Sequence, residues 1–152
     1  MIVDGYNVIY AWGLDTSSLE DARAMLLDAL DDFAGYTGES ILVVFDGYRT
    51  RSAASEMRHG LIDVVFTAHG VTADTHIQRI AKASIEPLTV VTGDYLEQLS
   101  VFGSGSMRLT PAELKILIRQ AREKHIDHIH RSTLTGKELK KKLYLDAISD
   151  NR

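Results

Sequence analysis

The stretch that decides the fold is Met1-Ile2-Val3-Asp4-Gly5-Tyr6-Asn7, in which an apolar run ends in an acid, a glycine and an amide. Three apolar residues followed by Asp-Gly are typical of a buried strand that stops at a turn. Strands usually have about five or six residues, so this short run fits either a start upstream of Met1 or a short central strand. We predict the first strand of a sheet here.

The same pattern occurs twice more along the chain. Ile41–Phe45 is apolar and is followed by Asp46-Gly47, and Leu88–Thr92 is followed by Gly93-Asp94. In an open parallel sheet, the carboxyl ends of the strands border the crevice where ligands bind. Acids that converge there repel one another unless a cation or protons offset their charge. Each Asp-Gly pair could instead serve only as a good turn, but the repetition favours a metal site.

Strand patterns alternate with helical ones through most of the chain. This alternation predicts an α/β fold, a doubly wound parallel sheet with helices on both faces. Thr110, Pro111 and Glu113 form a strong helix start, with a capping threonine and an acid three residues later. The other predicted elements are helices that begin at Ser17 and Thr72, a strand at Leu61–Phe66, a polar loop at 47–60, and short helices at Tyr95–Phe102 and near Lys137–Ile148.

Composition and charge narrow the class of protein. The 152 residues suit one domain, 1–152, and the absence of cysteine excludes disulfides, thiolate metal sites and a cysteine nucleophile. No apolar run reaches the roughly 18 residues of a membrane span, and we expect a cytoplasmic protein. Residues 1–100 carry a net charge of −9 and residues 101–152 carry +5. This asymmetry fits a cation site beside a polyanion-binding surface, with a basic helical tail from about residue 131; the other interpretation is solvated helix faces.

Four acids make up the candidate site: Asp4, Asp46 and Asp94 at strand ends, and Asp74 in the first turn of a helix. Hard oxygen ligands without cysteine favour Mg²⁺ or Mn²⁺, and such ions can activate water for phosphodiester hydrolysis. Asn7 and Gln98 stand near these acids in sequence and could bind a carboxylate or a phosphate. Tyr6 occupies the position where a phosphatase with an aspartyl nucleophile usually has a second Asp, and neither a P-loop nor a dinucleotide-binding glycine motif is present.

Five groups of residues point to a known family, namely Val3–Ile9, Val43–Asp46, Val65–Thr67 with Thr72–Asp74, Thr92–Gln98, and Phe102–Arg108. Together and in this order they resemble the YacP-like family, in the NYN branch of the PIN-like nucleases. The resemblance implies a three-layer PIN-like fold in which the predicted parallel strands have the order 3-2-1-4. It also implies an endoribonuclease that depends on Mg²⁺ or Mn²⁺, cuts single-stranded RNA or mRNA, and in some members works on the ribosome. The family often has Ser where this sequence has Gly93.

The resemblance places the acidic site on Asp4, Asp46, Asp74 and Asp94, with Asn7 beside them. We expect Asp4 and Asp94 to hold the ion, and Asp46 and Asp74 to complete or support its coordination. The expected substrate-binding residues are Asn7, Gln98, Arg108, Lys140, Lys141 and Lys142. The alternative is a non-catalytic RNA- or ribosome-binding module with a vestigial metal site. The sequence does not reveal the oligomeric state.

Overall fold

A computed structural model describes residues 1–14, 18–47, 54–94 and 105–149, with residues 134, 139 and 142–149 described in their backbone only. The centre of the fold is a six-stranded sheet with the order β3-β4-β2-β1-β5-β6. All neighbouring strands are parallel except β3 and β4, which form an antiparallel hairpin. The strands are β1 (Ile2–Asp4), β2 (Leu42–Phe45), β3 (Ser55–His59), β4 (Ile62–Phe66), β5 (Thr89–Val91) and β6 (Met107–Leu109).

Both faces of the sheet are covered, because side chains alternate along each strand. Val3, Val43 and Val91 point to the larger core. Their neighbours Val44 and Val90 point to the smaller one. Three helices pack on the larger core, namely α1 (Gly5–Trp12), α2 (Leu19–Thr37) and α4 (Pro111–Ser149), and α3 (Ala73–Ala83) packs on the smaller core. The layers are therefore helix, sheet and helix, as an α/β fold requires.

Helix starts agree with the sequence where the structure describes them. Thr72 caps α3, and its side chain accepts the N–H of Thr75. Thr110 and Glu113 form the predicted capping box at α4, with the Thr110 N–H 2.7 Å from Glu113 Oε2. The cap of α2 is Ser18, one residue after the predicted Ser17, which lies outside the described residues.

The predicted four-strand order is present in the centre of the sheet, as β4-β2-β1-β5, but the sheet is wider than predicted. Part of the predicted loop 47–60 is β3, an edge strand whose residues 55–58 are exposed. Such a strand is held by backbone hydrogen bonds to β4, so its side chains carry no apolar pattern. The other edge strand, β6, was also missed, and two of its three residues are exposed.

The carboxyl-terminal region differs from the prediction in a second way. We expected two helices there, but residues 111–149 form the single helix α4. No proline interrupts this segment after Pro111, and Gly136 weakens a helix interior by only about 1 kcal/mol. The predicted helix at 95–102 lies outside the described residues. In the described part of the chain, no helix is both long and apolar enough to cross a membrane.

Candidate active site

Asp4 lies at the carboxyl end of the central strand β1, with β2 on one side and β5 on the other. The predicted Asp-Gly turn is wrong, because the chain passes from β1 directly into α1 with Asp4 as the N-cap. Asp4 Oδ1 accepts the Asn7 backbone N–H at 3.3 Å. A Cβ on Gly5 would overlap the ring of Phe45. Glycine is therefore needed for α1 to start this close to β2.

Asp46 and Asp74 are positioned by two other elements, the end of β2 and the start of α3. Asp46 comes directly after β2, and the next residue, Gly47, donates its N–H to Thr67 Oγ1 at 2.9 Å. The same Thr67 hydroxyl donates to the Val71 carbonyl at 2.6 Å. Thr67 therefore connects the end of β2 to the loop before α3. Asp74 lies in the first turn of α3, and Gln78 Nε2 donates to its Oδ1 at 2.7 Å.

Asp94 is exposed and follows β5 after Thr92 and Gly93. The buried Thr92 hydroxyl accepts the Asp94 N–H at 3.1 Å. Gly93 donates its N–H to Asn7 Oδ1 at 2.6 Å. Since a backbone N–H can only donate, this bond orients the Asn7 amide with its oxygen toward Gly93. Asn7 thus connects α1 to the segment that carries Asp94. A side chain at position 93 would bring a Cβ to 2.9 Å from Asn7 Oδ1.

The pKa of Asp4 responds to the charges of the other three predicted acids. Burial raises the pKa of Asp4 from 3.8 to about 6, the Asn7 N–H opposes this rise, and the charges of Asp74, Asp46 and Asp94 add to it. The other three predicted acids are therefore close enough to Asp4 to act on its charge. A cation there would relieve both the mutual repulsion and the desolvation of Asp4.

The donor chemistry of these residues fits Mg²⁺ or Mn²⁺, since it consists of carboxylate oxygens without sulfur. Among the residues that the structure describes, however, no three His, Asp or Glu side chains are arranged to hold one ion together. The carboxylates surround the crevice without forming a closed ligand set. Such an arrangement suits Mg²⁺, which usually retains several waters and binds through one or two carboxylates and the substrate.

The predicted substrate-binding residues do not all lie at the crevice. Arg108 is exposed on the edge strand β6. Lys140 and Lys141 are exposed on α4, about 44 Å from Pro111 at 1.5 Å per residue. Gln98 and the side chain of Lys142 lie outside the described parts of the chain. Only Asn7 is seen beside the acids.

Three polar residues of this region were missed in the sequence. Thr67 and Thr92 are buried and directly follow strands β4 and β5. A threonine directly after an apolar strand could have indicated such a residue, because a buried hydroxyl needs a hydrogen-bond partner, here in a nearby loop. Gln78 could have been found from its spacing, since residues four apart on a helix are neighbours.

Comparison with known proteins agrees with the sequence resemblance. The model of the YacP-like NYN domain matches residues 1–150. The protein YacP of Bacillus subtilis is 36% identical over 121 residues, which cover 75% of this chain and 71% of YacP.

Two crystal structures of Rae1 (YacP) from Bacillus subtilis also match. A mutant form superposes with a TM-score of 0.73 at 32% identity and covers 87% of this chain and 82% of that one. The other superposes with a TM-score of 0.68 at 30% identity, over 97% and 91% of the two chains. These matches support the PIN-like three-layer fold. The chain belongs to the YacP-like NYN domain family, whose domains are of a nuclease type.

Proposed function

We propose that this protein is an endoribonuclease that cuts single-stranded RNA, including mRNA, with Mg²⁺ or Mn²⁺ as cofactor. One observation carries the proposal. Asp4 is held among three further carboxylates at the carboxyl ends of the strands, and its pKa is raised to about 6. Sites that keep mutually repelling acids in one crevice are commonly functional, because such a cluster costs stability without a cation. Membership in a nuclease-type family supports the same reaction class.

In this proposal, Asp4 and Asp94 would hold the metal ion, while Asp46 and Asp74 would complete or support its coordination. When bound, the ion supplies a Lewis acid for a phosphodiester oxygen and lowers the pKa of water. Water attacks phosphorus, the ester bond to the leaving oxygen breaks, and that oxygen takes up a proton. The protein's own contribution is positioning. Thr92 fixes the backbone of Asp94, and Gln78 donates to Asp74.

Asn7 has two roles in the proposed site. Its oxygen is occupied by the Gly93 N–H, so its NH₂ group is the part left to face other partners. An amide donor can bind a carboxylate or a substrate phosphate without adding charge to the crevice. We therefore keep Asn7 among the substrate-binding residues and add that it positions Asp94.

The partners follow from the basic half of the chain. Arg108, with Gln98, would contact the phosphates of the RNA. Lys140, Lys141 and Lys142 lie too far along α4 to contact the same few nucleotides, so we assign them to long RNA or to the ribosome. We propose that residues 1–152 work as one nuclease domain in the cytoplasm, with this basic helix as its docking element.

A second candidate is a non-catalytic RNA- or ribosome-binding module. One observation favours it: the described residues include no three acids or histidines arranged to hold one ion. Such a module would bind Mn²⁺ weakly or not at all. It would also bind RNA equally well after loss of any single crevice acid.

Cleavage of a reporter mRNA separates the two candidates. The RNA is incubated with and without ribosomes, in Mg²⁺, in Mn²⁺ or in chelator. The proposal predicts cleavage in either ion and none in chelator. Because water is the nucleophile, a single 2′-deoxy substitution at the cut nucleotide should leave cleavage intact, whereas a contaminating ribonuclease that uses the 2′-hydroxyl would be blocked. Binding without cleavage under all conditions would support the module.

A further inference from the structure

We propose that the RNA strand leaves the crevice along one flank of α4, where Lys115, Arg119 and Arg122 hold its phosphates. We call these three residues the basic flank. The inference rests on the proposed function, because it names the surface that presents RNA to the acids. It differs from the sequence prediction, which assigned phosphate binding to Arg108 and to Lys140–Lys142.

Helical spacing places the basic flank on one side of α4. Its members are four and then three residues apart, so their side chains lie on the same side of the helix. Leu114 is buried, and Ile118 and Ala121 are half-buried, which fixes the inner face of α4.

The opposite flank of α4 faces α2. There Leu117, Gln120 and Lys124 border a cavity of about 400 Å³ together with Phe33 and Tyr36. At about 100° per residue, Lys115, Arg119 and Arg122 point away from this cavity. The basic flank is therefore on the side of α4 that α2 does not cover.

The basic flank starts at the crevice. Pro111, the first residue of α4, lies with its Cδ 3.7 Å from where a Cβ of Gly93 would be. Gly93 is the residue before Asp94. At 1.5 Å per residue, Lys115 and Arg122 lie about 6 and 16 Å along the helix from Pro111. An RNA strand in the crevice can therefore reach all three cations within a short distance.

The charges and shape of this surface suit a nucleic-acid strand. Among the described residues, none of the three cations forms an ion pair, although Glu123 is only four residues from Arg119. Lys115 Nζ lies 5.9 Å from the centre of the half-buried Trp12 ring. The three cations also border an open cavity of about 540 Å³ with apolar lining from Ala112, Ile116 and Ile118.

RNA binding near the four carboxylates requires a positively charged surface, because these acids repel phosphates. RNA approaching four carboxylates is repelled until cations offset their field. The basic flank supplies three positive charges beside that field, and the apolar lining can contact bases without reading their sequence. An RNA backbone is thus the occupant whose charge complements this flank.

The test measures binding of a fluorescent single-stranded RNA of about eight nucleotides, a length typical of one single-strand binding surface. Fluorescence anisotropy without divalent ions gives the affinity at several salt concentrations. The variant Lys115→Gln, Arg119→Gln, Arg122→Gln is compared with the control Lys124→Gln, Arg131→Gln, Lys137→Gln. The control removes the same charge from exposed positions of the same helix. Lys124 and Arg131 lie on the other flank, and Lys137 lies about 39 Å along the helix from Pro111. Glutamine retains helix propensity.

We expect the basic-flank variant to bind more weakly than the wild type. The fall of log affinity with log salt should become less steep by about 0.7 per lost phosphate contact, or roughly 2 in all. The control should keep the wild-type slope. Trp12 is the only tryptophan of the chain, so its emission should change on RNA binding with the same midpoint as the anisotropy.

Equal slopes for the two variants, no change in Trp12 emission, or no binding by the wild type would each overturn the inference. Its failure can be told from failure of the proposed function. If the wild type binds the RNA but does not cut it in Mn²⁺, the nuclease proposal fails, and the salt slopes still decide whether the basic flank is the binding surface.

Discussion

Replacing Asp4 with asparagine should abolish cleavage and make the metal-free protein more stable. The pKa of Asp4 is raised from 3.8 to about 6 in the folded protein, chiefly by burial and further by Asp74, Asp46 and Asp94. A raised pKa means that the folded state disfavours the ionised carboxylate. This cost is absent below about pH 3.8, grows as the pH rises to about 6, and is complete above it.

The shift of about two pKa units corresponds to roughly 3 kcal/mol near pH 7.5, and to about 1 kcal/mol near pH 4.5. Asparagine is neutral and retains an oxygen that can accept the Asn7 N–H. We therefore expect the free energy of unfolding to rise by up to about 3 kcal/mol at the higher pH, which is a Tm increase on the order of 6–12 °C for a domain of this size.

The assay is urea unfolding of the wild type and of Asp4→Asn in chelator at both pH values. A second series adds Mn²⁺, which should stabilise the wild type by about 2.7 kcal/mol at a hundred times its Kd and the variant by much less. A variant that is less stable than the wild type at the higher pH, or a stability difference that does not shrink on acidification, would refute the electrostatic reasoning.

Three further changes test other parts of the account. Asp74→Ala should raise the Mn²⁺ concentration needed for cleavage, with part of the activity restored by excess metal, because the variant removes one of the carboxylates that would support the ion; an unchanged Mn²⁺ titration would leave Asp74 a helix-start residue only. Asn7→Ala should destabilise the protein by about 0.5–1.5 kcal/mol and lower kcat, since the exposed Gly93 N–H exchanges its Asn7 acceptor for water; unfolding and steady-state kinetics measure both, and a wild-type kcat would exclude the positioning role. Replacing Lys140, Lys141 and Lys142 with Gln should weaken binding to ribosomes or long RNA and flatten its salt dependence; sedimentation with ribosomes at several salt concentrations measures this, and unchanged binding would indicate a solvated helix face.

The centre of the fold could be predicted from the sequence because its strands are apolar on both faces. Val43, Val44 and Phe45 are all buried, and a run of that kind is typical of a central parallel strand. The edge strands could not be found in this way. Glu56 and Arg58 of β3 are exposed, and backbone pairing with β4 leaves no pattern in the side chains.

The four acids could be proposed because each stands at a strand end or helix start, and the topology brings such positions together. The contacts that hold them could not, since they join residues far apart in sequence. Asn7 and Gly93 are 86 residues apart, and Gly47 and Thr67 are 20 apart. The charge of the lysine run predicted contacts with RNA phosphates, but the sequence did not show that one continuous helix, α4, carries this run about 44 Å from Pro111.

The most direct test of the central claim is single-turnover cleavage of a labelled single-stranded RNA in Mn²⁺, by the wild type and by single Asp→Asn variants. Asp4→Asn and Asp94→Asn remove crevice acids, and Asp32→Asn removes an exposed acid of α2 as a matched control. We predict that the wild type and Asp32→Asn cut the RNA, that chelator stops both, and that the two crevice variants remain folded and do not cut. Cleavage that survives in chelator, or in both crevice variants, would contradict it.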